Sequence, residues 1–219
     1  MLPVEEGNRL KRFPWVNVAL IAVNCFVFFH LALSGGAGQR EALRYAFTAA
    51  HPSLLTAVTS MFLHGGILHL LGNMYFLYVF GDHLEDRLGR AAYLGAYLLS
   101  GLGAVFLQYS VDPHSHIPLL GASGAISGVC ALYMLMFPWQ KMRWQFFFLV
   151  FPIFSVPSRA IFVVGLWFLE QYLFASFGGN AEAGGVAFWA HVGGFLTGVA
   201  LFPFLAAPPA KRGKAVKGS

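Results

Sequence analysis

Leu120–Phe137 reads LGASGAISGVCALYMLMF, and it sits inside a stretch from Pro113 to Gln140 that contains no Asp, Glu, Lys or Arg. A run of this length and apolarity, rich in small residues, has two homes: the centre of a large soluble core or a lipid bilayer. The remainder of the chain decides between them. Further uncharged windows run from Phe13 to Gly38, Tyr45 to Gly81, Ala91 to Val111 and Ala183 to Ala210, and Trp144 to Ala181 is broken only by Arg159 and Glu170. Across 219 residues, 58% are hydrophobic and 11% are charged, against about 25% charged in soluble domains. Mean hydropathy is +0.65. A soluble fold would need almost every helix to be apolar all round, with too little polar sequence left to cover it.

A spanning helix needs roughly 20 mostly apolar residues. The windows predict an all-α integral membrane bundle of six transmembrane helices: Pro14–Leu33, Leu63–Phe80, Ala91–Tyr109, Leu120–Phe137, Arg159–Phe177 and Val186–Phe204. The cations give an orientation. With both ends in the cytoplasm, the inner segments hold Arg9, Lys11, Arg12, Arg87, Arg90, Lys141, Arg143, Arg159, Lys211, Arg212, Lys214 and Lys217, and the outer ones only Arg40 and Arg44. That asymmetry predicts an N-in, C-in topology. The isoelectric point near 9.4 therefore reflects topology and not a nucleic-acid surface, which would interleave stacking aromatics with its cations. Cys25 and Cys130 fall within apolar helices and read as packing residues. The first apolar run is full length with no small-residue cleavage site, and reads as a signal anchor.

One membrane domain, 13–205, is expected between a cytoplasmic tail at 1–12 and a basic cytoplasmic tail at 206–219. The connection Ser34–Phe62 is long enough to carry substructure of its own. Phe146–Pro152 is aromatic, interrupted by proline and too short to span, and is expected to lie along the membrane surface or to extend the fifth helix. There is no internal repeat, which weakens transporter readings that depend on one.

Polar side chains within spans are costly and so are candidates for function. Ser123, in Gly121-Ala122-Ser123-Gly124, is expected in the first turn of the fourth helix, where backbone N–H groups lack intrahelical partners and suit an oxyanion. The competing reading is packing, since Gly124 and Gly128 form a small-residue face. His191, in Trp189-Ala190-His191-Val192-Gly193-Gly194, is an imidazole that an apolar setting keeps neutral and able to accept a proton. Gly194 and Gly198 flatten one face of its helix, complementary to Gly124 and Gly128, which could bring His191 to Ser123. A histidine merely bonded to a carbonyl is the bland alternative. His69 and Asn73, four residues apart, share a helical face and could donate to a developing negative charge. A metal site at His64, His69 and His191 is the other possibility, although no carboxylate flanks them and no HExxH helix occurs.

Together these groups resemble the rhomboid family of intramembrane serine proteases, and the resemblance covers nearly the whole chain. HxxxN is met by His69 and Asn73, GxSG by Gly121–Gly124, and AHxxG by Ala190, His191 and Gly194. Gly81, Glu85 and Gly89 match a GxxxExxxG turn, and Trp167 and Gln171 match a common pairing on the fifth helix. The resemblance implies Ser123 as nucleophile and His191 as general base of a dyad. His69, Asn73 and the Ser123 backbone N–H would form the oxyanion hole, with Gly121, Gly124, Gly194 and Gly198 permitting close approach. It also implies transmembrane protein substrates, cut within the lipid bilayer near their outer end, without cofactor or metal. The compact form is similar to bacterial members, which implies a bacterial inner membrane.

Two departures stand out. An aromatic that commonly follows the nucleophile by four places is Ser127 here, so His191 needs other packing. A Trp-Arg pair typical of the first outer loop is absent. Glu170, the one acidic residue within a predicted span, is expected to be neutral and hydrogen-bonded or to face a wet cavity. A silent binder of membrane proteins and a small transporter with a histidine–Glu170 proton path are the alternatives of other classes.

Overall fold

A computed structural model describes residues 2–5, 10–148, 151–177 and 187–206. Among them, helices α1 (Trp15–Leu33), α2 (Gly35–Tyr45), α3 (Leu54–Thr59), α4 (Ile67–Phe76), α5 (Asp82–Leu88), α6 (Arg90–Val111), α7 (Ser123–Met136), α8 (Ala160–Phe177) and α9 (Phe188–Leu205) carry the architecture. Strands β1 (Leu2–Glu5), β2 (Lys141–Phe148) and β3 (Phe151–Arg159) form a small antiparallel sheet in the order β1-β2-β3.

The helices are patterned for lipid. In α1 the side chains turned inward include Asn17 and Asn24, while Phe26 and Phe29 point outward with 71% and 51% of their surface exposed. An aqueous solvent would select the reverse arrangement, whereas hydrocarbon favours apolar groups outside and polar groups satisfied within. Four single helices, α1, α6, α8 and α9, are long and apolar enough to cross a membrane. The count becomes five if Leu54–Phe62 and Ile67–Leu88, bent by 90° at their junction, are taken as one broken span. α7 has 14 residues, short of the roughly 20 that a bilayer asks of a single helix.

The expected second helix begins later and runs further than its sequence window. Leu63–Gly66 is non-helical, and the helix continues from Ile67 through a wide π turn at Leu77–Gly81 into α5. The Gly81, Glu85 and Gly89 spacing explains that turn. Glu85, 3% exposed, accepts the backbone N–H groups of Val16 at 3.1 Å and Asn17 at 2.7 Å, satisfying the start of α1. The Asn17 amide donates to the Leu77 carbonyl at 2.9 Å and accepts from the Tyr93 hydroxyl at 2.7 Å. A side chain at Gly81 would collide with Asn17 and Tyr93. Gly89 (φ +83°) adopts a left-handed conformation that lets α6 start at once.

α7 occupies the centre. Every residue from Gly124 to Tyr133 is buried, against α6, α8, α9 and the π turn. α9 inserts between α6 and α7 by means of its glycines. A Cβ at Gly193 would lie 2.6 Å from the Gly103 carbonyl of α6, and Cβ atoms at Gly194 and Gly198 would collide with the carbonyls of Gly124 and Gly128 on α7. Such backbone-to-backbone approach is how membrane helices gain packing contacts without a hydrophobic driving force.

Beyond Phe137 the structure differs from expectation. Lys141–Phe148 and Phe151–Arg159 pair as antiparallel strands, so Phe146–Pro152 does not extend α8 as a helix. Aromatic residues favour strands, while Pro152 and Pro157 bar a helix and fall on β3, an edge strand where a missing N–H costs little. The opposite edge, β1, comes from the segment expected to be a tail. The Tyr75 hydroxyl donates to the Pro3 carbonyl at 2.7 Å, and His83 Nδ1 lies 2.9 Å from Glu5 Oε2 and 2.8 Å from Asp82 Oδ1. The long Ser34–Phe62 connection holds α2 and α3. Arg9 and the tail cations Lys211, Arg212, Lys214 and Lys217 lie outside the described residues. Cys25 and Cys130 are free thiols.

Replacing Glu85 with Ala orphans the buried Asn17 N–H and the part-buried Val16 N–H, and is expected to cost about 1–3 kcal/mol for the buried one and less for the other. Thermal denaturation in detergent should show a clearly lowered Tm for Glu85→Ala and a smaller loss for Glu85→Gln, which keeps a carbonyl acceptor.

Candidate active site

The loop that delivers Ser123 is pinned before the helix begins. Phe47 and Leu119 exchange backbone hydrogen bonds of 3.1 and 2.7 Å, and the Gly121 N–H donates to the Ser60 carbonyl at 2.9 Å. Gly121 (φ +128°) holds a conformation open to glycine, and a Cβ there would lie 2.8 Å from Cε1 and Nε2 of the His69 ring. α7 then starts at Ser123, with its first intrahelical bond running from the Ile126 N–H to the Ala122 carbonyl. The N–H groups of Ser123, Gly124 and Ala125 precede that bond and point out of the helix start.

His191 sits in the first turn of α9, so both side chains belong to the same end of the bundle. His191 Nε2 lies 2.8 Å from Ser123 Oγ, and His191 Nδ1 lies 2.7 Å from Gln171 Oε1 on α8. Trp167, one turn before Gln171, places its ring centroid 6.2 Å from that of His191 at 33°, and Phe188 meets the same imidazole edge-on at 6.2 Å. These contacts supply the packing that Ser127 does not. The Ser127 hydroxyl donates back to the Ser123 carbonyl at 2.7 Å and is fully buried. A cavity of about 850 Å³ opens onto Ser123, His191, His69, Asn73, Trp167 and Gln171.

A Rhomboid domain profile matches residues 51–208, which span every element of this site. The chain belongs to the rhomboid family. It is 30% identical over 200 residues to Rhomboid-like protease 3 of Toxoplasma gondii, covering 87% of this chain and 68% of that one. It is 33% identical over 121 residues to Rhomboid protease GluP of Bacillus subtilis (52% of this chain, 23% of the relative). Rhomboid-like protein 11, chloroplastic, of Arabidopsis thaliana is 35% identical over 94 residues (43% and 32%). The chain thus spans less than half the length of two of these three relatives.

Of the site residues that the rhomboid motifs single out, Ser123, His191, His69 and Asn73 line one cavity, with Gly121 and Gly124 beside them. Gly194 and Gly198 lie against α7. Asn73 Nδ2 is also 2.9 Å from His64 Nε2, and the His64 and His69 rings meet edge-to-face at 5.1 Å. An amide nitrogen carries two N–H groups, so one serves His64 and the second remains for the cavity. His64, His69 and His191 do not draw their ring nitrogens into a metal-like cluster among the described residues. That grouping occurs at Glu5, Asp82 and His83, on the side of the bundle where β1 docks.

Glu170 departs from expectation. It is exposed on the outer face of α8 and does not line the cavity. A helix turns about 100° per residue, so the inward position belongs to its neighbour Gln171. Trp167 and Gln171, the pairing already visible in the sequence, are the α8 residues that meet His191.

Gly194→Ala forces α9 away from α7 and so separates His191 from Ser123. A displacement of about 1 Å costs on the order of 10²-fold in such chemistry. Labelling of Ser123 by a fluorophosphonate should fall by that order in Gly194→Ala and stay near the parent level in Ser127→Ala.

Proposed function

We propose that this rhomboid is an intramembrane serine endopeptidase that cuts transmembrane segments of other proteins near their outer end. The observation that carries the reading is the 2.8 Å separation of Ser123 Oγ and His191 Nε2 at the start of two helices. A serine hydroxyl is a weak nucleophile until an adjacent base takes its proton. Ser123 Oγ attacks the scissile carbonyl carbon as its proton passes to His191 Nε2. The carbonyl oxygen becomes an oxyanion facing the Ser123 backbone N–H, the second Asn73 amide hydrogen and His69. Collapse breaks the C–N bond, and His191 returns the proton to the leaving nitrogen. Water then attacks the acyl-serine ester with His191 again as base, which releases the new carboxylate and restores Ser123.

The setting supports a substrate drawn from the membrane. A helical substrate hides its carbonyls within its own hydrogen bonds, so segments with small or helix-breaking residues near the cut are preferred. Six crossings of domain 13–205 follow if the broken α3–α4 pair and the short α7 each count as one. That puts both termini on the same side, and the cation bias makes that side the cytoplasm. Ser123 then lies close to the outer surface, where water reaches it. The compact chain fits a bacterial inner membrane, with the sites of organelle-named relatives as the other membranes of this kind.

Purified protein in liposomes is expected to cut a single-pass reporter, and Ser123→Ala and His191→Ala should each abolish the cut. Asn73→Ala should lower kcat by roughly 10²–10³-fold, the usual effect of removing one oxyanion donor. Equal cleavage by Ser123→Ala and the parent would refute the assignment.

A further inference from the structure

The dyad has a third partner on a helix that contributes no reacting group. We propose that Gln171 is the positioning residue of the site. Its Oε1 accepts the His191 Nδ1 proton and thereby keeps Nε2 unprotonated and aimed at Ser123. This inference rests on the protease reading of Ser123 and His191.

An imidazole that is to take a proton from serine must carry its own hydrogen on the far nitrogen, and the acceptor bonded to that nitrogen decides which tautomer prevails. Gln171 Oε1 lies 2.7 Å from His191 Nδ1, Nε2 lies 2.8 Å from Ser123 Oγ, and the Gln171 residue is 8% exposed. The three groups form a chain with one polarity: Ser123 O–H donates to Nε2, and Nδ1–H donates to the amide oxygen. The imidazole is held on its other sides by Trp167 and Phe188. Trp167 and Gln171 are four residues apart, so a single face of α8 presents both a ring and an acceptor to His191.

The choice of an amide suits the surroundings. A carboxylate in this place would add a buried charge to an apolar bundle, which is expensive. A carbonyl oxygen orients the ring without that cost, and its dipole faces the imidazolium that forms when Ser123 gives up its proton. The adjacent Glu170, exposed on the outer face, is excluded from the role by direction alone. Asparagine at 171 is one methylene too short to span the same distance.

Three variants and a spectrum test the assignment. Gln171→Leu keeps the volume and removes the acceptor. Its kcat on a transmembrane reporter is expected to fall by about 10–100-fold, less than the 10²–10⁴-fold contribution of the base itself, with KM near the parent value. Gln171→Glu restores an acceptor of the same length and should recover most of kcat, whereas Gln171→Asn should resemble Gln171→Leu. Imidazole ¹⁵N spectra of the Ser123→Ala protein, with the His191 signals assigned by their loss in Ser123→Ala/His191→Ala, should show hydrogen on Nδ1 and none on Nε2. Adding Gln171→Leu should move the hydrogen to Nε2 or divide it between the two.

An Nε2–H tautomer with Gln171 present, a tautomer unchanged in Gln171→Leu, or a Gln171→Leu enzyme with parental kcat would each overturn the proposal. The spectra do not depend on turnover. A parent protein that lacks Ser123-dependent cleavage while showing the Gln171-dependent tautomer would refute the protease reading and leave the positioning contact standing.

Discussion

The contact between α7 and α9 governs the rest of the molecule, because Ser123 and His191, the proposed dyad, are carried at the ends of these two helices. Their backbones meet where Gly194 faces the Gly124 carbonyl and Gly198 faces that of Gly128. One methyl group on any of these positions has nowhere to go. In a membrane the association of two apolar helices is not driven by leaving water, since lipid solvates them equally well, and close packing has to supply the energy. The same absence of side chains that stabilises the pair sets the spacing at its end, where Ser123 and His191 stand 2.8 Å apart. Packing and chemistry are thus two consequences of one surface.

That dual use explains what was legible in the sequence. Read alone, Gly124 and Gly128 are equally good as a packing face or as neighbours of a nucleophile, and in the structure they pack against α9 on the helix that Ser123 begins. The starts of α1, α7 and α8 fall within three residues of their expected positions, because Pro14, Pro118 and the Arg159 boundary are local signals. The Leu63–Gly66 break before α4 was not legible, nor was the continuation of that helix to Leu88. The continuation is fixed by distant groups: Glu85 capping α1, and Asn17 taking the carbonyl that the π turn at Leu77 leaves over. The hairpin at Lys141–Arg159 was hidden for a related reason. Its apolar run has no helical or strand period that composition alone could separate, and β1, the strand that completes its sheet, is remote in sequence.

The interior also shows how polar groups are accommodated at low dielectric. Asn17, Tyr93, Glu85 and Leu77 form one connected set, with the carboxylate at its edge receiving two backbone donors. Ser127, placed where a reader might seek a second nucleophile, is instead committed to its own helix through the Ser123 carbonyl. These commitments hold Asn17, Tyr93 and Ser127 away from the cavity, which Ser123, His191, His69 and Asn73 face beside Ser60, Gln108 and Ser115.

All of those groups, and Gln171 with them, can do their work without a net charge in the resting state. Soluble Ser-His-Asp hydrolases place a carboxylate behind the histidine, where hydrogen bonds hold it in its charged form. In a bundle whose outer surface meets hydrocarbon, a fixed negative charge at that depth would have to be compensated by a cation, and α8 offers none on its inward face. An amide gives the direction of a hydrogen bond while avoiding the ion. The trade is weaker stabilisation of the imidazolium in exchange for a site that remains neutral until a substrate arrives, and the proposed reaction then develops its charges only between Ser123, His191 and the donors already aimed at them.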